Sequence, residues 1–356
     1  MFREGQILKN SSRFLVVNNY GIGNIFILFP LLQSIKKKHE NFYFYLTYHP
    51  SLYEQPIYRS LKKIGFIDGI PPLWRRFRND DHDKIINFCL NVGIETVLNL
   101  RIEAPENDID YFSFEKKANN CSISCYSCHQ CLKERNRNEN ISDILFKSIQ
   151  KLDSHLPLPM YNWLTEVVTC KASFDKAIVL CTSASKRKKR WSEEKWISLV
   201  SELRVICLNQ IVIMSGKRDE ELTEAKNIYY NLRKKFSNIF LMQGLSIENY
   251  LEVIKAARFV ITMDSFSSHA AAALEKKQII IFLSTDGYIW RPGGSKIYSL
   301  ALSEISLMCK NMRSNGTCNN YYNDEGGKTR CGEGVDVNSV LNLFKKNFFK
   351  EKYRNS

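Results

Sequence analysis

The chain has 356 residues, enough for two domains that each bury a core. An apolar share of 44% and a charged share of 25% are those of a globular protein, and no apolar run reaches the roughly 18–20 residues needed to span a bilayer. The net charge of +14 is scattered over 36–38, 75–78, 186–190 and 345–354. No zinc-finger, helix-turn-helix or aromatic RNA-binding pattern accompanies it, which argues against nucleic acid and leaves anionic head groups, phosphorylated small molecules or a solvated basic surface. The N-terminus MFREGQILKN lacks the apolar core of a signal peptide, so the eleven cysteines read as reduced thiols and the expected compartment is the cytoplasm.

Phe14 to Val17 is a buried-strand run that feeds a loop with Gly21, Gly23 and Asn24, then a helix from about Ile25 to His39. Strand, glycine loop and helix open a doubly wound sheet. The two glycines fall short of a dinucleotide fingerprint but allow a ligand close to the sheet's carboxyl edge. Alternation continues with a strand over 42–47, helices over 53–64 and 84–92, and a strand over 96–100. Arg101 and Glu103 follow that last strand, where open α/β sheets place ligand groups; the alternative is a surface charge pair. Arg75, Arg76 and Arg78 can hold an anionic acceptor through their guanidinium forks, or line a solvated loop.

Residues 104–140 break the pattern and read as an insertion rich in charge and cysteine. Cys121, Cys125, Cys128 and Cys131 stand as C-x3-C-x2-C-x2-C. Four thiolates so spaced can close a tetrahedral site around structural zinc or iron, or remain free thiols. The first three also match the iron–sulfur spacing of radical enzymes, but the chain lacks their repeated βα barrel units.

Leu156-Pro157-Leu158-Pro159 is the best linker. Beyond it come a strand over 177–180, a hydroxyl loop from Thr182 to Ser185, the basic run 186–190 and a helix capped by Ser192. Strands follow over 211–214 and 239–242, each with an acid- or serine-started helix behind it. The stretch RFVITMDSFSSHAAAALEKKQIIIFLSTD (258–286) then reads as strand, turn, Ala-rich helix and strand. Its backbone N–H groups and positive helix end suit a phosphate or diphosphate; the alternative is an ordinary βαβ turn in which Asp264 merely caps its helix.

These motifs resemble glycosyltransferase family 9, the bacterial heptosyltransferases, collinearly over most of the chain. FLVVNNYGIGNIFILFPLLQSIKK (14–37) is similar to the family's first strand, glycine loop and helix. AIVLCTSASKRKKRWSEEKWISLVSEL (177–203), IVIMSGKRDEEL (211–222) and LMQGLSIENYLEVIKAARFVITMDSFSSHAAAALEKKQIIIFLSTD (241–286) resemble its later segments. Where the family has D-[ST]-G-x-x-H, this chain has Asp264-Ser265-Phe266-Ser267-Ser268-His269.

The resemblance implies an α/β fold of GT-B type, two doubly wound, Rossmann-like domains facing a central cleft. The expected divisions are an acceptor-binding domain over 1–165, a nucleotide-sugar-binding domain over 175–335 and a basic helix over 336–356 packing back on the first domain. It implies an inverting transfer of heptose from a nucleotide sugar, usually ADP-heptose, with no cofactor required for catalysis. The acceptor would be an anionic glycan or glycolipid such as lipopolysaccharide core. Work at the cytoplasmic face of the inner membrane, with contact to its surface, is expected.

Residue by residue, Ser185 and Lys189 would contact the diphosphate, as would Ser265 with the amides of Phe266 and Ser267. Asp264 would bind sugar hydroxyls, and His269 would brace the site. Glu220, or its neighbour Asp219, would bind the ribose, and Leu245 would line the adenine pocket. Gly23, Arg75, Arg76, Arg78 and Arg101 fall to the acceptor side.

Two positions depart from the family pattern. Asn24 stands where the usual general base is Asp, and an amide cannot take the acceptor's proton; Glu103 is the candidate substitute. Phe266 replaces a glycine and makes the diphosphate loop bulkier. The loss at Asn24 raises a catalytically inactive sugar-nucleotide-binding protein as an alternative. The cysteine clusters, with Cys309, Cys318 and Cys331 near the end, raise a protein O-heptosyltransferase.

Overall fold

The computed structural model describes residues 13–17, 22–39, 42–46, 68–69, 79–101, 109–128, 131, 134, 139–170, 174, 176–294, 298–303 and 334–348. The expected helix over 53–64, together with Arg75, Arg76, Arg78, Glu103, Cys309, Cys318 and Cys331, lies outside the described residues. The chain divides into two α/β units, Met1–Met160 and Tyr161–Ser356.

The first unit holds a parallel sheet of β1 (Arg13–Val17), β2 (Tyr43–Leu46), β3 (Thr96–Asn99) and β4 (Ser124–Ser127), in the order β2-β1-β3-β4. Its helices are α1 (Ile22–Lys38), α2 (Asn79–Val92), α3 (Ile109–Asn120) and α4 (Ile141–Gln150). Alternation along β1 decides which face each residue fills. Leu15 and Val17 join Ile85, Cys89 and Phe114 from α2 and α3. Phe14 points to the other face, with its ring 4.8 Å from Phe42 and 5.6 Å from Phe44.

Residues 104–140 are therefore not an insertion. They supply α3 and the strand β4, whose Thr96↔Ser124 to Asn99↔Ser127 register extends the parallel sheet. The sequence SCYS hides this strand because it carries little of the apolar, β-branched signal that marks buried strands.

The second unit is a six-stranded parallel sheet: β5 (Ile178–Cys181), β6 (Ile211–Met214), β7 (Ile239–Met242), β8 (Phe259–Met263), β9 (Gln278–Phe282) and β10 (Tyr298–Leu302). The order β7-β6-β5-β8-β9-β10 reverses direction between β5 and β8. That reversal opens a crevice at the carboxyl ends of those two strands. The helices are α5 (Glu193–Ile206), α6 (Asp219–Arg233), α7 (Ile247–Ala256), α8 (Phe266–Ala273), the short α9 (Gly287–Trp290) and α10 (Val337–Phe348).

The crossing segment belongs to this second unit, five residues earlier than expected at 165. Asn162 donates to Glu275 over 3.2 Å, and Lys255 donates to the carbonyls of Thr165 and Val168, so 161–170 is bound where it lies.

The expectation for the last helix is also corrected. α10 buries Val340, Leu341, Phe344 and Phe348 in the core of the second unit rather than leaving that face for the first. The Phe344 ring lies 5.1 Å from Phe259 and 4.5 Å from Phe348, and the Arg258 guanidinium covers Phe348 at 4.5 Å. Once residues at this helical spacing are spent here, no broad apolar stripe remains on the described helix. Phe344→Ala should destabilise the second unit by about 3–5 kcal/mol, measured by urea denaturation, because it empties a fully buried aromatic site.

Candidate functional site

The polar residues of the second unit gather where its strand order reverses. β5 ends at Cys181 and hands over to Thr182 and Ser183, whose hydroxyls tie this loop to the next strand. Thr182 donates to the Met214 carbonyl over 3.3 Å, and the Gly216 amide donates to Ser183 Oγ over 2.8 Å. Gly216 is required for space: a Cβ there would stand 2.1 Å from the Glu221 carboxylate, which turns back to accept from the Arg218 amide. Arg218 in turn donates to the Ser185 carbonyl, so the exposed Ser185 is held by its backbone.

The basic run that follows is a 3-10 turn, Arg187–Lys189, clamped at its far end. Trp191 and Trp196 pack edge to face at 5.3 Å in the core, and Trp191 Nε1 donates to the Val335 carbonyl over 3.0 Å. The cations of the run have different fates. The Arg190 guanidinium, with its side chain only 3% exposed, pairs with Glu220 at 2.6 Å and Glu224 at 3.3 Å. Arg187 reaches Glu224 at 3.6 Å. Two carboxylates cancel the Arg190 charge, which makes it an anchor from loop to α6. Glu220 remains 74% exposed, with its carboxyl held below the usual range by the Arg190 hydrogen bond.

Lys189 points the other way, across to the loop after β8. Its Nζ lies 2.6 Å from Asp264 Oδ2. Thr285, at the end of β9, donates to the same oxygen over 2.5 Å. Both bonds fall on Oδ2, so Oδ1 keeps acceptor capacity, and Lys189 keeps two of its three N–H donors for other groups. Asp264 is nearly fully buried, a position a carboxylate holds only with such partners.

Ser265 caps α8, accepting from the Ser267 amide over 3.3 Å, and Ser268 Oγ donates to the Ser265 carbonyl over 2.8 Å. His269, one turn into α8, is buried within electrostatic reach of Asp264 and Lys189. Burial dominates and pulls its pKa down to about 4, with Asp264 opposing and Lys189 assisting. The imidazole is thus neutral at pH 7.

Leu245 is half-buried in the turn between β7 and α7. Thr285 was not singled out by sequence reasoning; the only trace of it was its place in a polar loop behind a buried strand. Lys189, Asp264, Ser265, Phe266, Ser267 and His269 do come together at the ends of β5 and β8.

In the first unit, Gly23 and Asn24 lie in the first turn of α1, both half-buried. Arg101 is buried just past β3, with Nε donating to Asn99 Oδ1 over 3.1 Å and its amide to the same oxygen over 3.3 Å. Both positions belong to the carboxyl edge around the reversal between β1 and β3.

The four-cysteine site is overturned. Cys125 sits within β4 against the α2–α3 core, near Cys89. Cys128 is buried beyond the strand's end, its thiol 3.5 Å from the Arg101 carbonyl, while Cys121 is exposed at the end of α3. Cys125 lies within the strand and Cys128 just past its end, where alternation sends them to opposite faces, and burial pushes the Cys128 thiol up to about 12. Among the described residues no three His, Cys, Asp or Glu side chains form a group able to hold a metal ion.

Two parallel doubly wound domains, the second with its charged loops at the strand reversal, define an α/β protein of GT-B type. Solved structures share this fold. Escherichia coli heptosyltransferase WaaC with ADP aligns over 94% of this chain and 99% of its own, with TM-score 0.59 and 14% identity. E. coli ADP-heptose LPS heptosyltransferase II aligns over 96% and 99%, with TM-score 0.63 and 12% identity. The model of glycosyltransferase family 9 (heptosyltransferase) matches residues 152–318, slightly under half of the chain. Lipopolysaccharide heptosyltransferase 1 of E. coli strain K12 is 25% identical over 108 residues, 30% of this chain. The chain therefore matches about a third (32%) of that relative's length.

The depressed His269 pKa has a consequence for stability. A base whose folded pKa lies below its unfolded value of 6.5 takes up a proton more readily when unfolded, so it disfavours the fold as pH falls from 6.5 to about 4 and is without effect above. His269→Asn should remove up to roughly 3 kcal/mol of that acid penalty. Urea melts at pH 7 and pH 4.5 check it: the variant's loss of stability between the two should be smaller than the wild type's.

Proposed function

We propose that this protein is an inverting glycosyltransferase that moves heptose, or a related sugar, from a nucleotide sugar to an anionic glycan. ADP-heptose is the proposed donor and lipopolysaccharide core the proposed acceptor. The observation that carries the reading is the Lys189 ammonium 2.6 Å from buried Asp264, beside the start of α8 at the strand reversal. The match to the family model and the names of the E. coli relatives support the donor and acceptor classes.

In this reading the diphosphate lies along the first turn of α8, where the helix end and the Ser265 hydroxyl favour negative charge. Lys189 directs its remaining N–H donors at the phosphates. Asp264 Oδ1 accepts from a sugar hydroxyl, and neutral His269 packs beside it without adding charge. The acceptor hydroxyl attacks the anomeric carbon from the face opposite the diphosphate. The new glycosidic bond forms as the bond to phosphate breaks, and ADP departs with the electron pair. Lys189 stabilises the charge that develops on that leaving group.

The attacking hydroxyl must lose a proton, and Asn24 cannot take it. Glu103, two residues past Arg101, is the proposed base, and Arg101 with Arg75, Arg76 and Arg78 the proposed acceptor anchors. A surplus of +14 suits work on anionic glycolipid at the cytoplasmic face of the inner membrane, where this reading places the protein. No helix among the described residues is long and apolar enough to cross a membrane.

Release of ADP from ADP-heptose in the presence of a lipopolysaccharide-core acceptor is the direct test. Lys189→Ala should lower kcat/KM by roughly 10²–10³-fold while the protein still melts cooperatively. A wild type that releases no ADP with any core acceptor, or an unaffected Lys189→Ala, sinks the reading. The base has its own test. Glu103→Gln should lower kcat about 100-fold, and adding Asn24→Asp in that background should restore part of it.

A further inference from the structure

The family pattern carries a glycine where this chain has Phe266, and a phenyl ring in the first turn of α8 needs somewhere to rest. It rests on Tyr250 of α7, ring centroids 5.6 Å apart and planes tilted by 48°. The same tyrosine reaches the next residue: its hydroxyl lies 2.7 Å from Ser267 Oγ. Tyr250 and Ser267 are both buried, and the thiol of Cys181, at the end of β5, lies against the pair. One side chain from α7 thus holds two successive residues of α8's first turn from the core side.

From this contact we infer that Tyr250 is a positioning residue for the diphosphate loop, fixing the first turn of α8 through Ser267 and Phe266. The inference rests on the proposed function, since it takes that turn to be where phosphate binds.

Three physical points support it. A phenol hydroxyl buried without a partner is costly, so Tyr250 fixes Ser267 as firmly as Ser267 satisfies Tyr250. Burial keeps both the Tyr250 phenol and the Cys181 thiol protonated, so the contact stays a neutral hydrogen bond across the working pH range. The turn is also held by the Ser265 cap, a long 3.3 Å bond from the Ser267 amide, by the Ser268 hydroxyl on the Ser265 carbonyl at 2.8 Å, and by the Gln278 amide on the Ser268 carbonyl at 2.9 Å. A loop whose donors must face an anion gains from a brace outside its own backbone, because donors held in place need not reorganise when charge arrives.

Phe266 and Tyr250 are then a matched pair. The ring that makes the loop bulkier also supplies the surface by which α7 grips it.

The test is a double-mutant cycle read by ADP affinity in isothermal titration. Tyr250→Phe keeps the ring against Phe266 and removes the strut; Ser267→Ala removes its other end. Each should raise the Kd for ADP about three- to tenfold, as the loss of one hydrogen bond would. The double variant should be no weaker than the weaker single, since both act through one contact. An ADP affinity unchanged in Tyr250→Phe, or losses that simply multiply in the double variant, would overturn the inference. Should Tyr250→Phe fail to fold, Ser267→Ala alone carries the comparison: an unchanged Kd overturns the inference and a raised one supports it. A wild type that does not bind ADP at all fails the proposed function first, and this inference with it.

Discussion

A carboxylate as buried as Asp264, its side chain 6% exposed, survives only if something nearby answers its charge. Lys189 and Thr285 do so, and they arrive from different strands. Lys189 comes from the loop after β5 and Thr285 from the end of β9, while Asp264 itself ends β8. β8 lies between β5 and β9 in the sheet, so the pair exists because the strand order makes these three ends neighbours. Much of the surrounding architecture then reads as support for bringing Lys189 to that spot. The Trp191–Trp196 contact fixes one end of its loop, and the hydrogen bonds of Thr182 and Ser183 fix the other.

Charge and geometry together separate working cations from structural ones in the basic run. Arg190 and Lys189 are adjacent and point to opposite tasks. Arg190 presents a planar fork to two carboxylates of α6 and is almost sealed from water. An incoming diphosphate would have to break both contacts to reach it. Lys189 meets one carboxylate, is 21% exposed and carries a rotatable ammonium with donors to spare. Replacing part of its attraction to Asp264 by attraction to phosphate costs little, because the Thr285 hydrogen bond still satisfies the carboxylate. His269 fits the same logic. Were it charged it would compete with Lys189 for Asp264, and burial keeps it neutral.

The second domain was legible in the sequence because its four central strands are buried on both faces. AIVL, IVIM, FVIT and QIIIF are continuous apolar runs, and each ended within a residue or two of where the strand does. The order of those strands was not legible, since hydrophobic runs do not say which neighbour they take. β4 was missed for the converse reason: SCYS pairs along β3 through its backbone, but with three hydroxyls and one thiol its side chains carry little apolar signal. The same blindness produced the metal site. Cysteine spacing suggested convergence, but a strand runs through the cluster, with Cys125 packed against the α2–α3 core and Cys128 buried beyond the strand's end. Tyr250 and Thr285 were invisible for a third reason. Each matters through one contact 17 or 21 residues away in sequence, and such a contact exists only after the sheet has assembled.

The first domain repeats the arrangement on a smaller scale, and its chemistry differs in one respect. Its strand order also reverses beside its first strand, between β1 and β3, and the residues at that edge are again polar: Asn24 at the start of α1 and Arg101 after β3. Here the arginine is oriented by Asn99, through two bonds to a single amide oxygen. A carboxylate in that place would orient the guanidinium equally well and cancel its charge, as Glu220 and Glu224 do for Arg190. At Arg101 the partner that orients the fork is instead a neutral amide. The two reversals thus set their cations against different acceptors, Lys189 against a carboxylate and Arg101 against an amide oxygen.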